Sequence, residues 1–422
     1  MSEGPYSTAQ IPSAPADETR GLISDPDGPI IGAPSKLPIL SSTPELLNPL
    51  RSRGRLPEWL ARVLVVLFAV AIYLPNIGSF GLWDPWETHY GEVTRYMIET
   101  GDWVHPWWGY RGPKIGDEKG TGEKFHSKPI LLFWMEAATI KAIGLSETAI
   151  RLPVALLGIL CVFVVYYCFS TLLGQGVGFL SAGVLGTCPL YYFLARQAQT
   201  DMPFVANMTI ALSFFCLAVF GPRIEPSIRR TWRIFAITWG VILLTFLPQL
   251  GIISADIAHD VPSPSGGGEP SFFAIWRYTG WMQAVTWLTL MAIVLVSIVA
   301  WFQRQYQQHG TLTAAAQDTL RRRCYLWLFY TFCAIALMGK GLLGFMLPGA
   351  IIFVYLLITN EWSLLAQPHK GSVRGRVELL RGIAIFLCIG LPWYVGLLSG
   401  PDGKAFWNRF FIHDHFNRLG SG

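Results

Sequence analysis

The stretch LPVALLGILCVFVVYYCFSTL, residues 152–172, contains no charged side chain. A bilayer takes about 20 apolar helical residues to cross, and this run has that length. Working outward, further apolar segments lie at about 59–78, 128–144, 176–195, 201–220, 234–250, 281–302, 324–338, 342–358 and 382–399. In lipid the backbone must satisfy its own hydrogen bonds, so these segments should be helices. Alternating period-2 segments are absent, which argues against a barrel. Composition agrees, with 52% hydrophobic and 14% charged residues, where soluble domains carry about 25% charged residues. The expected fold is an all-α integral membrane bundle of about nine or ten segments over residues 59–422.

The seven cysteines (Cys161, Cys168, Cys188, Cys216, Cys324, Cys333 and Cys388) lie inside or at the ends of apolar segments. They read as small hydrophobes rather than a disulfide framework. Residues 1–58 hold ten prolines and few aromatics, a composition that cannot bury enough apolar area to order itself. They are expected to form a disordered tail. Arg51, Arg53, Arg55 and Arg62 flank the first segment, so the positive-inside rule puts the N-terminus in the cytoplasm.

A long polar and aromatic loop at 79–127 then follows on the outer side. Three basic groups set the later orientation: Arg223, Arg229, Arg230 and Arg233; Arg304 with Arg321, Arg322 and Arg323; and Lys370, Arg374, Arg376 and Arg381. Placing all three in the cytoplasm leaves Asp201, Lys340 and residues 400–422 outside. One conflict arises, because an even number of crossings must separate the loop at 79–127 from Asp201, yet three apolar segments intervene. Pro189 and a glycine-rich start shorten residues 176–195, so that piece is expected to be re-entrant. The chain stops soon after its last apolar segment and is read as part of something longer.

The densest chemistry is Gly81-Leu82-Trp83-Asp84-Pro85-Trp86-Glu87-Thr88-His89-Tyr90-Gly91-Glu92. Trp86, Tyr90, Val93 and Met97 recur at helical spacing, which predicts a short amphipathic helix on the membrane surface. Asp84, Pro85 and Glu87 have capping-box spacing, and the same acids can deprotonate an acceptor hydroxyl or hold a divalent cation. Asp201 likewise reads as a helix cap or a site carboxylate. Lys128 and Lys340 stand at outer segment ends; each is either a snorkelling anchor or a counter-charge for a lipid-linked phosphate. Arg95 is grouped with them as a donor-phosphate ligand, and Trp83, His89 and Tyr90 as substrate-lining residues.

Arg151, ahead of Pro153, is expected to anchor a helix end at the inner interface. Glu136 and Lys141 read as a helix-neighbour pair near the membrane. His89, His105 and His126 share one loop, and His413 and His415 another; their irregular spacing fits packing better than a metal motif.

The run from Gly81 through Asp102-Trp103, then Lys128-Pro129 with Phe133-Trp134, Arg151-Leu152-Pro153, Thr200-Asp201 and Lys340-Gly341 occur in a familiar order. Over about residues 59–420 the chain resembles the bacterial aminoarabinose transferases and the related protein O-mannosyltransferase-like enzymes, which share the multi-helix GT-C fold. The resemblance implies an inverting transfer of a sugar from a polyprenyl phosphate to an acceptor (lipid A, protein or another glycan) at the periplasmic face of a bacterial inner membrane. The net charge of +5 is modest and concentrated beside the membrane segments, which suggests orientation and not a nucleic-acid partner. Glu87, Asp84 and Asp201 become the catalytic candidates, and the same three the set for any divalent metal.

Two positions depart from the family pattern. Trp86 stands where members have the first of two adjacent acids, so Asp84 and Glu87, three apart on a helix, are expected to rebuild the pair. Ser127 precedes Lys128 where aminoarabinose transferases have Glu. Two other classes compete: a transporter or flippase, suggested by Glu136, Lys141 and the short 176–195 segment, and an inactive scaffold.

Overall fold

Helix starts follow local chemistry. Ser146 accepts a hydrogen bond from the Ala149 N–H, Ser271 from Ala274 and Thr313 from Ala316, each satisfying one orphan donor of a first turn. The computed structural model describes residues 56–108, 123–222, 225–257, 269–362, 364, 378–400 and 403–417. The N-terminal tail through residue 55 and the loop portions 109–122 and 258–268 lie outside the described residues, as do Lys370, Arg374, Arg376 and Arg223.

In chain order the helices are α1 (Glu58–Tyr73), α2 (Trp86–Thr100), α3 (Leu131–Ile143), α4 (Glu147–Leu173), α5 (Gln175–Thr187), α6 (Pro189–Ala195) and α7 (Asp201–Phe220). There follow α8 (Ile228–Asp256), α9 (Phe272–Tyr278), α10 (Gly280–His309), α11 (Ala314–Lys340), α12 (Leu343–Thr359), α13 (Leu379–Gly390) and α14 (Pro392–Ser399). A short helix, α15 (Gly403–Phe406), continues as a wider π-type turn through Trp407–Asn417. One two-residue antiparallel ladder, β1 (Trp107–Trp108) with β2 (Glu123–Lys124), closes the outer loop.

Among the described residues four helices, α4, α7, α8 and α10, are individually long and apolar enough to cross a membrane. The bent pairs α5–α6 (68°) and α13–α14 (49°) raise that to six if each is one span. The nine or ten expected from hydropathy shrink for physical reasons. The first apolar run stops being helical at Tyr73, two residues before Pro75, because proline disfavours helix in the residue before it. α11 is buried along most of its length, and its N-terminal third carries Arg321, Arg322 and Arg323.

Contacts between elements bear on the crossing conflict, because they lay residues 176–195, expected to be re-entrant, along α1. Leu56 and Gln175 exchange two hydrogen bonds of 3.1 Å, tying the start of α1 to the start of α5. Arg196, just after α6, donates to the Ile72 and Tyr73 carbonyls at the end of α1. α5–α6 therefore runs alongside α1 for its full length; Pro189 splits the passage, as the first residue of a second helix, without stopping it. The segment that stays at one end is α3. Its 13 residues reach only about 20 Å, and Trp134 Nε1 donates to the Trp103 carbonyl of the outer loop at 2.9 Å.

At the opposite end the arginines of α11 are buried, not loose loop charges. Arg322 donates to Asp318 and to the Ala218 and Gly221 carbonyls, each at 2.8 Å. Arg321 also pairs with Asp318, and Glu378 bridges Arg323 and Arg381. All seven cysteines are free, and only Cys188, at the α5–α6 break, is exposed.

Candidate functional site

The end of the bundle that carries α2 and the loop around it is organised by one buried ion pair. The Arg151 guanidinium, at the start of α4, donates to Glu87 Oε1 at 2.9 Å and to Oε2 at 2.6 Å. Its remaining N–H groups reach the carbonyls of Ile77, Phe80 and Gly81 at 2.7–3.0 Å, so it holds the chain that leaves α1. Glu87 also accepts from the N–H of Trp83 and of Ala198, both at 2.8 Å. Both side chains are fully buried. Burial alone would raise the Glu87 pKa, but Arg151 and the two backbone donors outweigh it and hold the carboxyl below its ordinary range.

Several expectations change here. Arg151 is not an anchor at the inner interface; it sits with the outer loop. Glu87 carries four donors on a carboxylate with about four lone-pair sites, so it is not poised as a base. Asp84 is exposed and accepts from Thr88 Oγ1 at 2.7 Å; it does not cap α2, whose side-chain cap is absent. With Asp84 outward and Glu87 inward, the two do not rebuild an acidic pair. The buried face of α2 is Glu87, Tyr90, Gly91, Val93, Thr94 and Met97, while Trp86 is exposed.

Asp201 and Lys340 are brought together as an ion pair, each about one-third exposed (39% and 31%). Gly339 lies at this approach: a Cβ there would stand 3.2 Å from Pro203 and from the Phe204 N, a tight contact that glycine avoids between α11 and α7. Tyr90 stands beside this pair with its hydroxyl near Thr200; burial pushes that hydroxyl up to about 12, so it is a neutral phenol. The Tyr90 ring packs edge-on against Phe125 (6.2 Å) and Phe133 (6.0 Å). Being 4% exposed, Tyr90 supports the site from behind instead of lining it. His89 is 4.5 Å from the Trp108 ring, and Trp83 lies exposed against Phe193.

Of the remaining cations, Arg95 is spent locally. It chelates Glu92 and also pairs with Glu99 on its own helix, the usual fate of exposed charges three and four residues apart. Lys128 is half-buried in the loop before α3. The adjacent Ser127 donates to Asp414 at 3.3 Å, and the His126 ring meets Phe406 at 5.8 Å. Asp414, 6% exposed and 2.9 Å from His413 Nδ1, is a site-end carboxylate that sequence reasoning passed over. Nothing local marks it, and its partner is 287 residues away.

Asp84, Glu87 and Asp201 do not converge on a cation position. Among the described residues no three His, Cys, Asp or Glu side chains are grouped to hold a metal ion. The donors of Glu87 are all hydrogen-bond donors, so the three-carboxylate metal set does not fit. Lys141 does not pair with Glu136 either; its ammonium lies 4.2 Å from the Trp103 ring centre.

Glu136 instead faces Thr94 of α2 at 2.5 Å, fully buried, with Oε1 unpartnered. Burial pushes its pKa up to about 8, with the neighbouring Glu87 charge adding to the rise. The folded state thus holds a proton that the unfolded chain releases near 4.5, so stability falls as pH rises from about 4.5 to about 8. Glu136→Gln keeps an oxygen that accepts from the Thr94 hydroxyl and cannot ionise. Its melting temperature in detergent is expected to be higher than the parent's at pH 8 and similar at pH 5. Parallel melting curves for both proteins across that range would refute this.

The description of the dolichyl-phosphate-mannose-protein mannosyltransferases matches residues 127–258. Undecaprenyl phosphate-alpha-4-amino-4-deoxy-L-arabinose arabinosyl transferase 1 of Pseudomonas fluorescens (strain Pf0-1) is 24% identical over 387 residues, covering 89% of this chain and 46% of the relative. Transferase 2 of P. fluorescens Pf-5 is 31% identical over 370 residues, covering 86% and 42%. ArnT from Cupriavidus metallidurans, solved bound to undecaprenyl phosphate, shares the fold with a TM-score of 0.52 at 21% identity, over 85% of this chain and 44% of that one. The chain thus spans a little under half the length of these relatives. In sequence the chain is similar to these arabinosyl transferases, and it shares the multi-helix membrane fold of ArnT.

Proposed function

We propose that this chain moves a sugar from a polyprenyl-phosphate carrier to an acceptor at the outer membrane face. The observation that carries the reading is the Asp201–Lys340 pair, half open to solvent and set beside Tyr90 at the loop-bearing end. The undecaprenyl-phosphate aminoarabinose named for the relatives is the first donor to test, with lipid A, protein and glycan as acceptors.

In this reading the acceptor oxygen attacks the anomeric carbon opposite the phosphate. Its C–O bond forms as the sugar–phosphate C–O bond breaks, and the electron pair leaves with the phosphate. Asp201 takes the acceptor proton. Lys340 holds Asp201 before donor binds, then turns to the phosphate, whose charge must be stabilised as it departs. Lys128 is the second cation, and Glu87–Arg151 positions the loop.

The test is transfer of radiolabelled sugar from polyprenyl phosphate by the chain in liposomes. Label should appear on acceptor, and Lys340→Met should lower kcat by about 100-fold and raise the donor KM. Label that stays on the carrier with every acceptor class, or an unchanged donor KM in the variant, defeats the proposal.

A further inference from the structure

The basic end of the bundle carries two kinds of arginine. Arg321, Arg322, Arg323 and Arg381 are buried and neutralised by Asp318 and Glu378. Arg229 and Arg233, in the first two turns of α8, are exposed, and among the described residues neither has an ion-pair partner. α8 carries no Asp or Glu from Ile228 to Ala255, and α10 none from Gly280 to His309. Cations near a helix N-terminus also oppose its dipole, so this placement costs stability unless an anion joins it.

Beside these arginines a groove of about 540 Å³ opens between α8 and α10, lined by Trp232, Val299, Phe302, Gln303, Tyr306 and Gln307. Trp232 and Phe302 stack at 5.2 Å with an 18° interplanar angle, forming its floor. α8 leaves the basic end where α10 returns to it, so the groove has a polarity. Arg229, Tyr306 and Gln307 stand at the basic end, and Phe302 and Val299 toward the apolar middle of both helices.

We propose that this groove binds an anionic glycerophospholipid, its phosphodiester on Arg229 and Arg233 and one acyl chain along Trp232, Phe302 and Val299. The charge and apolar gradient match such an amphiphile end to end. A neutral lipid would leave both arginines uncompensated, and a soluble anion would leave the aromatic floor in contact with nothing specific. The site lies at the end of α8 and α10 remote from Asp201 and is independent of the transfer chemistry.

Native mass spectrometry of the full chain with equal phosphatidylglycerol and phosphatidylcholine tests it. Phosphatidylglycerol should be retained preferentially. Arg229→Gln with Arg233→Gln should cut that retention by about fivefold per charge, the usual worth of a basic residue at an anionic membrane. Trp232→Ala should weaken it as well. In bilayers, chain-brominated phosphatidylglycerol should quench a fluorescence component that Trp232→Phe removes, and brominated phosphatidylcholine should quench it less. Equal retention of the two lipids, or retention unchanged in both variants, overturns the proposal. So does a chain dimer that Trp232→Ala abolishes, which would make the face a self-contact.

Discussion

Asp201→Asn is expected to lower transfer by about 10²- to 10⁴-fold, the range typical of a lost general base, while donor binding survives. The two halves of that result have different causes. The amide cannot take the acceptor proton, so kcat falls. It also no longer holds a charge against Lys340, which Asp201 contacts directly, so the ammonium is freed for the donor phosphate. The donor KM should therefore stay level or fall, the reverse of Lys340→Met. Measuring both parameters in liposomes separates the roles. An Asn variant with near-parent kcat would remove Asp201 from the chemistry, and a raised KM would show that its contact with Lys340 orders the donor site instead.

Arg151→Met should do the largest damage to folding, about 3–5 kcal/mol, the cost of leaving one member of a buried pair uncompensated. Glu87 would keep its two backbone donors but lose its counter-charge, and three carbonyls would lose their donor. Arg151→Lys should rescue little, because a lysine cannot supply a planar fork to a carboxylate and three carbonyls at once. Adding Glu87→Leu to Arg151→Met should cost less than the two single changes summed, since neither charge is then stranded. Melting in detergent, with hydrogen exchange at 77–101, measures both. Additive losses would mean that the pair is not coupled.

The pH sign follows from the depressed Glu87 pKa. Its contribution is present above the ordinary carboxyl value near 4.5 and is lost as pH falls through the folded value. Acid should therefore loosen the outer end, whereas Glu136 weakens the fold in the opposite direction, toward alkaline pH.

The residues by themselves determined the membrane class and most of the helices, because apolar run length is a local property, whereas the cap read at Asp84 is not formed. They also marked the loop at 79–127 and Asp201 as parts of one end, which the Ala198–Glu87 bond bears out. Lys340 was legible as a lysine on the less basic side. Local sequence cannot distinguish burial in protein from burial in lipid, since both select apolar side chains. Hence α3, sheltered by α2 and α4, looked like a span, and the broken passage α5–α6 looked too short for one.

Pairing is the other thing that only the tertiary structure decided. Arg151 has the same sequence setting whether it anchors an interface or grips Glu87 from 64 residues away. Arg95 and Lys128 are both plain cations in the sequence, yet one is consumed by its own helix and the other placed beside Asp414 through Ser127. An ionisable group takes its role from the charges and donors within a few ångströms, and in this chain the fold brings those from distant segments.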